Sequence, residues 1–405
     1  MTETSGRTVA GGVVPARDGE RVESARPEVS AGAHFPALDG YRAIAALMVV
    51  MTHVAFQTGL VGSGGTWGHV LARFDFGVPL FFLMSGFLLY RPWVRAALEG
   101  RPRPNIRRYA LRRTARIMPL YLVVVVITLR FLDEIQPVSW QQWVQNLLAV
   151  QVYVDDGLIE GLTQTWSLCT EIAFYAALPV IGALALGRRT RSVEEAWRRQ
   201  LVVLACLVTV ALLWNVTRTV TDILPKAAGN WLPGYLDWFA AGMCLALVDV
   251  RSRLPGRPRL VRLALATAQD GMTSVVVAVG FFALATTPLA GAYDLRYTGP
   301  WETLAKHLLY LGAATFFLLP GVLAPSGGVA TSLARPTPHR LGLISYGIFL
   351  WHLVILRFVM TSLGIPFFGG GTLQVGVLAL AWTLAVSTVT YRWIERPAQA
   401  WAHRF

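Results

Sequence analysis

The chain of 405 residues is 54% hydrophobic and only 15% charged, with a mean hydropathy of +0.50. These values exclude an ordinary soluble domain and indicate a polytopic membrane protein, whose main solvent is lipid. A net charge of +13 would suggest a nucleic-acid partner for a soluble protein, but the arginines here follow the ends of apolar segments, so neither DNA nor RNA is needed to explain them. The three cysteines lie inside apolar runs without CxxC spacing, which indicates neither disulfides nor a zinc site.

Residues 1–34 are rich in Gly, Ser, Glu and Arg and lack the apolar core of a signal peptide, which predicts a disordered, uncleaved cytoplasmic tail. Ten apolar segments follow, and each is predicted to form a transmembrane helix. The predicted fold is an all-α polytopic helical bundle over 35–397, with a short cytoplasmic C-terminal tail at 398–405. The ten segments are 35–57, 76–94, 117–132, 165–186, 201–220, 231–250, 271–292, 304–323, 341–363 and 375–394.

The distribution of basic residues predicts the orientation of these helices. Cytoplasmic links of membrane proteins collect Lys and Arg. With ten spans and both termini in the cytoplasm, 28 of the 36 basic residues fall on the cytoplasmic side. The pattern predicts a multi-pass protein of the inner or plasma membrane, and the scarcity of lysine beside arginine is typical of a GC-rich bacterial genome.

The first apolar segment contains three polar residues, Asp39, Arg42 and His53, that a lipid-facing helix should not carry. If the segment is one helix, the separation of Arg42 and His53 corresponds to three full turns plus about 20°. Both side chains then lie on one face, roughly 16 Å apart along the axis. Asp39 is three residues before Arg42 and within pairing reach. An interfacial ion pair and a simple hydrogen bond between helices would also explain these residues, but the common face favours a functional site.

Three further polar residues are predicted to lie at overlapping depths in other spans: Glu171, Asp237 and His352. A neutral His can accept a proton from a hydroxyl, and a nearby carboxylate can orient it and stabilise the resulting imidazolium. His53 with Glu171 or Asp39 could act in this way. Each of the three could instead serve packing as a buried polar group that hydrogen-bonds a neighbouring helix.

Arg113 and Arg116 follow each other at helical spacing at the predicted cytoplasmic mouth of the third span, at the level of Arg42. Positive-inside charge alone would explain them, but guanidinium groups also pair bidentately with phosphate, so the three arginines could bind a phosphorylated ligand. The chain has no P-loop, no GxGxxG that opens a helix, no HExxH and no GxSxG. Nucleotide hydrolysis, dinucleotide binding and serine-nucleophile chemistry are therefore not indicated.

Taken together, these residues resemble the membrane-bound acyltransferase 3 family. The resemblance covers about residues 35–397, and its motifs occur in the family's order. Two departures are Pro79, where many members have an acidic residue, and the sequence Cys169-Thr170-Glu171, which leaves one carboxylate where members often have two. The motifs are LDGYRAIAALMVVMTH, FGVPLFFLMSGFLLYRPW, RRTARIMPLYL, TWSLCTEIAFY, LDWFAAGM, ISYGIFLWHLVIL and YRWIERPA.

The resemblance implies transfer of an acyl group, acetyl or another short chain, from acyl-CoA to a hydroxyl of a sugar, an envelope glycan or a glycosylated natural product such as a macrolide. Arg42, Arg113 and Arg116 would hold the CoA phosphates, while His53 would be the general base, with Glu171 or Asp39 as its carboxylate partner. No metal is expected. The expected substrate or secondary-site residues are His352, Asp237, Trp166 and Tyr346.

Other interpretations stay open on the sequence. A proton-coupled secondary transporter also has about ten spans with buried acids and histidines, although no internal repeat is visible here. A non-catalytic membrane scaffold or receptor would need no acyl-CoA. Another class of membrane O-acyltransferase would use a buried His but would not explain the spacing of Arg42 and His53. The acyl group, the acceptor and the side from which the acceptor arrives are not indicated.

Overall fold

The apolar segments fold as helices because the bilayer offers no hydrogen-bond partner to an open backbone. The computed structural model describes residues 1–3, 6, 35–132, 135–187, 192–293 and 299–405. The part of the predicted tail at 4–5 and 7–34 lies outside these described residues. Residues 35–405 form one unit, which contains sixteen described α-helices and, within the described ranges, no strand.

The helices follow the predicted segments closely, with short 3₁₀ turns and short helices in several links. They are α1 (Ala37–Gln57), α2 (Thr66–Ala72), α3 (Gly77–Leu98), α4 (Ile106–Phe131), α5 (Trp140–Leu147), α6 (Thr165–Leu186), α7 (Val193–Val220), α8 (Leu236–Arg251), α9 (Arg259–Gln269), α10 (Gly271–Ala285), α11 (Pro300–Leu323), α12 (Gly328–Leu333), α13 (Pro336–Leu343), α14 (Ser345–Ser362), α15 (Thr372–Thr390) and α16 (Arg396–Ala402).

The number of membrane spans agrees with the prediction of about ten. Among the described residues, nine continuous helical stretches are long and apolar enough to cross a bilayer. The pair α9 and α10, which meet at an angle of 96°, supplies a tenth if the two are counted as one span. The all-α polytopic bundle is therefore confirmed, while the cytoplasmic location of the termini stays a prediction.

The third span is longer than predicted. Helix α4 begins at Ile106 instead of 117, because the Asn105 side chain accepts a hydrogen bond from the Arg108 backbone N–H at 2.9 Å and caps the helix. Arginine is also a good helix former, so the basic stretch continues the helix without a break. As a result, Arg113 and Arg116 project from a rigid helix and not from a loop.

The seventh span is shorter than the predicted 271–292. Helix α10 ends at Ala285, and a 3₁₀ turn at Pro288–Ala290 follows it. The chain enters α10 through a sharp bend at Asp270, whose carboxylate caps the helix by accepting from the Thr273 backbone N–H at 3.1 Å. Proline and this cap limit the helix to 15 residues, or about 22 Å, which is less than a typical hydrocarbon core.

Helix α3 lies at the centre of the bundle and packs against α1, α6, α8 and α11. Its closest approach is to α8, where Gly86 of α3 faces the Phe239 carbonyl and Gly242 of α8 faces the Leu83 carbonyl. A Cβ atom at either glycine would overlap the opposite backbone. Small residues let membrane helices approach in this way, and the contact fixes the position of the α3 side chains that face α6.

Candidate active site

Three arginines from two helices face one cavity near the beginning of α1. Arg42 comes from α1, and Arg113 and Arg116 come from α4. The cavity contains about 750 Å³ of space between atoms, a figure that includes the open solvent at its mouth. Its wall continues away from the arginines as mostly apolar side chains of α3, together with residues of α6 and α14. These include Phe81, Met84, Leu88, Leu168 and Phe349.

Two of these guanidinium groups have no hydrogen-bond partner among the described residues. Arg42 pairs with Asp39, with 2.9 Å between Nη1 and Oδ1. Within the described ranges, neither Arg113 nor Arg116 donates a hydrogen bond to a protein group, and the buried Nε of Arg113 is unsatisfied. The Arg113 guanidinium only lies over the Tyr175 ring, 6.0 Å from its centroid. Unpaired guanidinium groups in a partly buried cavity are suited to an anionic ligand.

Glu171 lines the same cavity and joins two helices. Its Oε1 accepts a hydrogen bond from the Tyr175 hydroxyl at 2.6 Å, one turn further along α6. The same oxygen accepts from the Ser85 hydroxyl of α3. Glu171 also lies within electrostatic range of Arg113. The carboxylate therefore ties α3 to α6 and places a negative charge beside the arginines.

His53 lies further along α1 and contacts a second histidine. The Nδ1 atom of His53 is 2.8 Å from the Val49 carbonyl oxygen and 3.3 Å from Nε2 of His352 on α14. The two imidazole rings are tilted by 53°, with 5.0 Å between their centroids. His352 is 1% exposed, and its own Nδ1 is 2.7 Å from the Phe349 carbonyl oxygen. The structure thus joins two of the predicted site residues directly.

The structure does not bring either predicted carboxylate into contact with His53. Asp39 bonds Arg42 and His339, the latter with 2.9 Å between Oδ2 and Nδ1. Glu171 accepts hydrogen bonds from Ser85 and Tyr175, as described above. The hydrogen-bond partners of His53 among the described residues are the Val49 carbonyl and His352. Which side chains contact His53 depends on how the helices pack against each other. The spacing of residues in the sequence does not reveal this packing.

The remaining predicted residues occupy separate places. Asp237 is 1% exposed and pairs with His307 of α11, with 3.4 Å between Oδ2 and Nδ1. Trp166 packs against the rings of an aromatic cluster, 5.2 Å from the Tyr235 centroid. Tyr346 lines the arginine cavity, and its hydroxyl donates to the Ile117 carbonyl at 2.9 Å.

One aromatic side chain lies close to both the cavity and the histidines. Phe349 lines the cavity, is 7% exposed, and its ring centroid is 6.1 Å from that of His352. Phe81 packs edge-on against Phe349 at 6.2 Å. Neither His53 nor His352 is among the described residues that line the cavity.

Sequence reasoning missed four polar residues that the structure places around the predicted ones. One had a signal, because Tyr175 follows Glu171 by four residues and so shares its helix face. The others pair with residues distant in sequence and had none. The four are Ser85, Tyr175, His307 and His339. In the part of the chain that the structure describes, no group of three or more His, Cys, Asp or Glu side chains could hold a metal ion.

Comparison with known proteins shows the family to which the chain belongs. The model of the acyltransferase 3 family, described as an acyltransferase domain, matches residues 35–392. The chain belongs to this family. The resemblance drawn from the sequence motifs is thereby confirmed, and this acyltransferase 3 protein is a multi-pass membrane transferase of acyl groups. Membership favours the enzyme over the transporter and the non-catalytic scaffold.

Relatives of this acyltransferase 3 protein come from bacteria. It is 28% identical over 381 residues to the acyltransferase MdmB of Streptomyces mycarofaciens, with 88% of each chain covered. It is 23% identical over 383 residues to the peptidoglycan O-acetyltransferase OatA of Listeria monocytogenes, where the match covers 90% of this chain and 56% of the relative. No solved structure matches the chain.

Proposed function

We propose that this acyltransferase takes an acetyl or other short acyl group from acyl-CoA and transfers it to a hydroxyl. The acceptor would be a sugar, an envelope glycan or a glycosylated natural product such as a macrolide, modified at the plasma membrane of a bacterium. A relative named as a peptidoglycan O-acetyltransferase supports an acceptor of the envelope-glycan kind.

The observation that carries the proposal is the pair of guanidinium groups in the cavity that make no hydrogen bond to a described residue. Arg113 and Arg116 offer several N–H donors beside Arg42, which pairs with Asp39, and the carboxylates of Glu171 and Glu395 lie nearby without bonding either of the two. Coenzyme A has phosphates at one end and a thin, uncharged arm that carries the thioester at the other. The phosphates suit the arginine end of the cavity, and the arm suits its apolar continuation along α3.

The arm would reach the histidines by displacing Phe349. The rise from Arg42 to His53 is roughly 16 Å along α1, a distance that the extended arm of CoA can span. Phe349 lines the cavity and lies close to His352, so in this proposal its ring would turn aside when the donor binds. Such a movement would also keep water away from the thioester until the arm is in place.

In the proposed reaction, Nε2 of His53 accepts the proton of the acceptor hydroxyl while the hydroxyl oxygen attacks the thioester carbonyl carbon. The new C–O ester bond forms and the C–S bond breaks. The CoA thiolate leaves with the electrons of that bond and takes up the proton from His53, which returns the imidazole to its neutral state. Glu171 would hold Tyr175 and the α3 wall in place beside the donor.

His53→Ala tests the proposal. We expect the rate of transfer to fall by about 10²- to 10⁴-fold, the usual contribution of a general base, while the protein remains folded and still binds acyl-CoA. The measurement is transfer of label from acetyl-, propionyl- and longer acyl-CoAs to candidate glycans and macrolides by membranes that contain the protein.

The matched control is His403→Ala, at an exposed position near the end of the chain, which should retain full activity. Wild-type activity in the His53→Ala protein would remove His53 from the mechanism. Uptake of a solute by proteoliposomes in the absence of any acyl donor would instead support a transporter.

A further inference from the structure

The contact between His53 and His352 joins two titratable rings from helices at opposite ends of the chain. Nδ1 of His53 and Nε2 of His352 are 3.3 Å apart, and the residues are 299 positions apart in sequence. His352 is 1% exposed and is enclosed by its own helix and by α1. The proposed reaction uses His53 but assigns nothing to His352.

The backbone of α14 determines which nitrogen of His352 carries the proton. Its Nδ1 lies 2.7 Å from the Phe349 carbonyl oxygen and 3.2 Å from the Ile348 carbonyl oxygen. A carbonyl oxygen only accepts, so Nδ1 must be the protonated donor. In a neutral ring, Nε2 of His352 is then left with a lone pair that points at His53.

The same argument applies to His53. Its Nδ1 lies 2.8 Å from the Val49 carbonyl oxygen, which again requires a proton on Nδ1. This N–H is directed both to Val49 and to the Nε2 lone pair of His352. One arrangement of two neutral rings satisfies all these contacts, and it leaves Nε2 of His53 unprotonated. No described residue hydrogen-bonds that nitrogen, and the ring is only half-buried.

We infer that His352 is a positioning residue, which holds His53 in the tautomer and orientation whose Nε2 can accept a proton. The inference rests on the proposed function, in which His53 is the general base. When Nε2 of His53 becomes protonated, its Nδ1–H becomes a stronger donor, and the His352 lone pair accepts from it and stabilises the imidazolium. His352 thus performs the task that a carboxylate performs in many sites, without a buried negative charge.

Two amide substitutions separate this role from simple packing. The side-chain oxygen of His352→Gln reaches about as far as Nε2 of histidine and can accept from His53. The amide of His352→Asn lies at the level of Nδ1, so it can keep the bond to the Phe349 carbonyl but cannot reach His53. His352→Phe keeps the ring shape and removes both contacts. The measurements are kcat and KM for acyl transfer from acetyl-CoA, with thermal unfolding in detergent as the test of folding.

We expect His352→Gln to keep kcat within about fivefold of the wild-type value, and the Asn and Phe variants to lose about 10²-fold or more in kcat with KM for acetyl-CoA unchanged. A folded Asn or Phe variant with a kcat near that of the wild type would overturn the inference. So would a folded Gln variant as inactive as the Asn variant. If neither Asn nor Phe folds, the Gln variant decides alone, since activity supports the inference and inactivity overturns it.

The two proposals fail in different ways. If the wild-type protein transfers no acyl group from any acyl-CoA, the proposed function fails and the inference falls with it. If the wild type is active and His53→Ala is not, but the folded Asn and Phe variants are fully active, only the role of His352 is wrong.

Discussion

Two buried arginines of this protein have partners that the arginines of the cavity lack. Arg73 is 2% exposed and donates to backbone carbonyls around the end of α10, and Arg91 pairs with Asp249 at 2.7 Å. Among the described residues, Arg113 and Arg116 have no such partner. An unpaired charge in a low-dielectric environment costs several kcal/mol. An unpaired arginine at such a position therefore indicates an anionic ligand that pairs with it.

Arg113→Met is expected to raise KM for acyl-CoA by about 10- to 100-fold, because a hydrogen bond to a charged group contributes about 1.5–3 kcal/mol. Methionine keeps the helix and the apolar part of the side chain. The stability of the protein should change little, because the Arg113 guanidinium donates no hydrogen bond to a described residue and its contact with the Tyr175 ring is long, at 6.0 Å from the centroid. The measurement is the initial rate as a function of acyl-CoA concentration.

The matched control is Arg107→Met, six residues earlier on α4, where the side chain is exposed. It should leave KM within about twofold of the wild-type value, since a single exposed charge is largely screened at ordinary ionic strength. Equal increases in both variants would mean that the positive surface, and not a specific contact with Arg113, attracts the donor.

At the scale of helices, the site depends on how closely α3 and α8 approach. Glycines at the crossing let the two backbones touch, and the opposite face of α3 presents Ser85 and Phe81 to the cavity. The capped extension of α4 supplies the arginines from the other side. A shift in either helix would change the distance between the cationic end of the cavity and its apolar wall.

Gly242→Ala should destabilise the protein by about 1–3 kcal/mol, because the added methyl overlaps the Leu83 backbone and pushes α3 from α8. Gly280→Ala on α10 is the control, since nothing lies within 4 Å of its added Cβ. Alanine there should be neutral or stabilise the helix by up to about 1 kcal/mol. Unfolding in detergent measures both, and a Gly242→Ala protein as stable as the control would contradict the packing argument.

At the scale of the whole molecule, the arginine cavity must open toward the cytoplasm for a cytoplasmic donor to reach it. The distribution of basic residues predicts this orientation, and α3 connects the two sides. Ser63 and Arg103 are exposed residues beyond opposite ends of this helix. The helix has 22 residues and is about 33 Å long, enough to cross the hydrocarbon core.

Single cysteines at these two positions test the orientation, in a background where the three native cysteines are replaced. In intact cells, an impermeant maleimide should label Ser63→Cys, and Arg103→Cys should react only after the membrane is opened. The replacement of native cysteines matters because Cys206 is exposed on the surface of the bundle. The reverse labelling pattern would place the arginines outside and remove the route for cytoplasmic acyl-CoA.

Relations between site residues on the same helix could be predicted from the sequence. The common face of Arg42 and His53, the ion pair of Arg42 with Asp39, and the helical spacing of Arg113 and Arg116 all follow from 3.6 residues per turn. The identity of the residue that contacts His53 did not follow from helical periodicity. Glu171 and Asp39 were plausible by depth, but small shifts and rotations of packed helices decide which side chains come within 3 Å.

The sequence by itself determined that the chain is a helical membrane bundle, because lipid requires each spanning segment to satisfy its own backbone and to be apolar over about 20 residues. Its motifs, in their order along the chain, indicated the acyltransferase 3 family. Only the tertiary structure decided that His352 contacts His53, that Glu171 accepts from Ser85 and Tyr175, and that Phe349 lies close to both the arginine cavity and the His352 ring. These contacts depend on rotations and close approaches between helices distant in sequence, which side-chain packing determines and local periodicity does not.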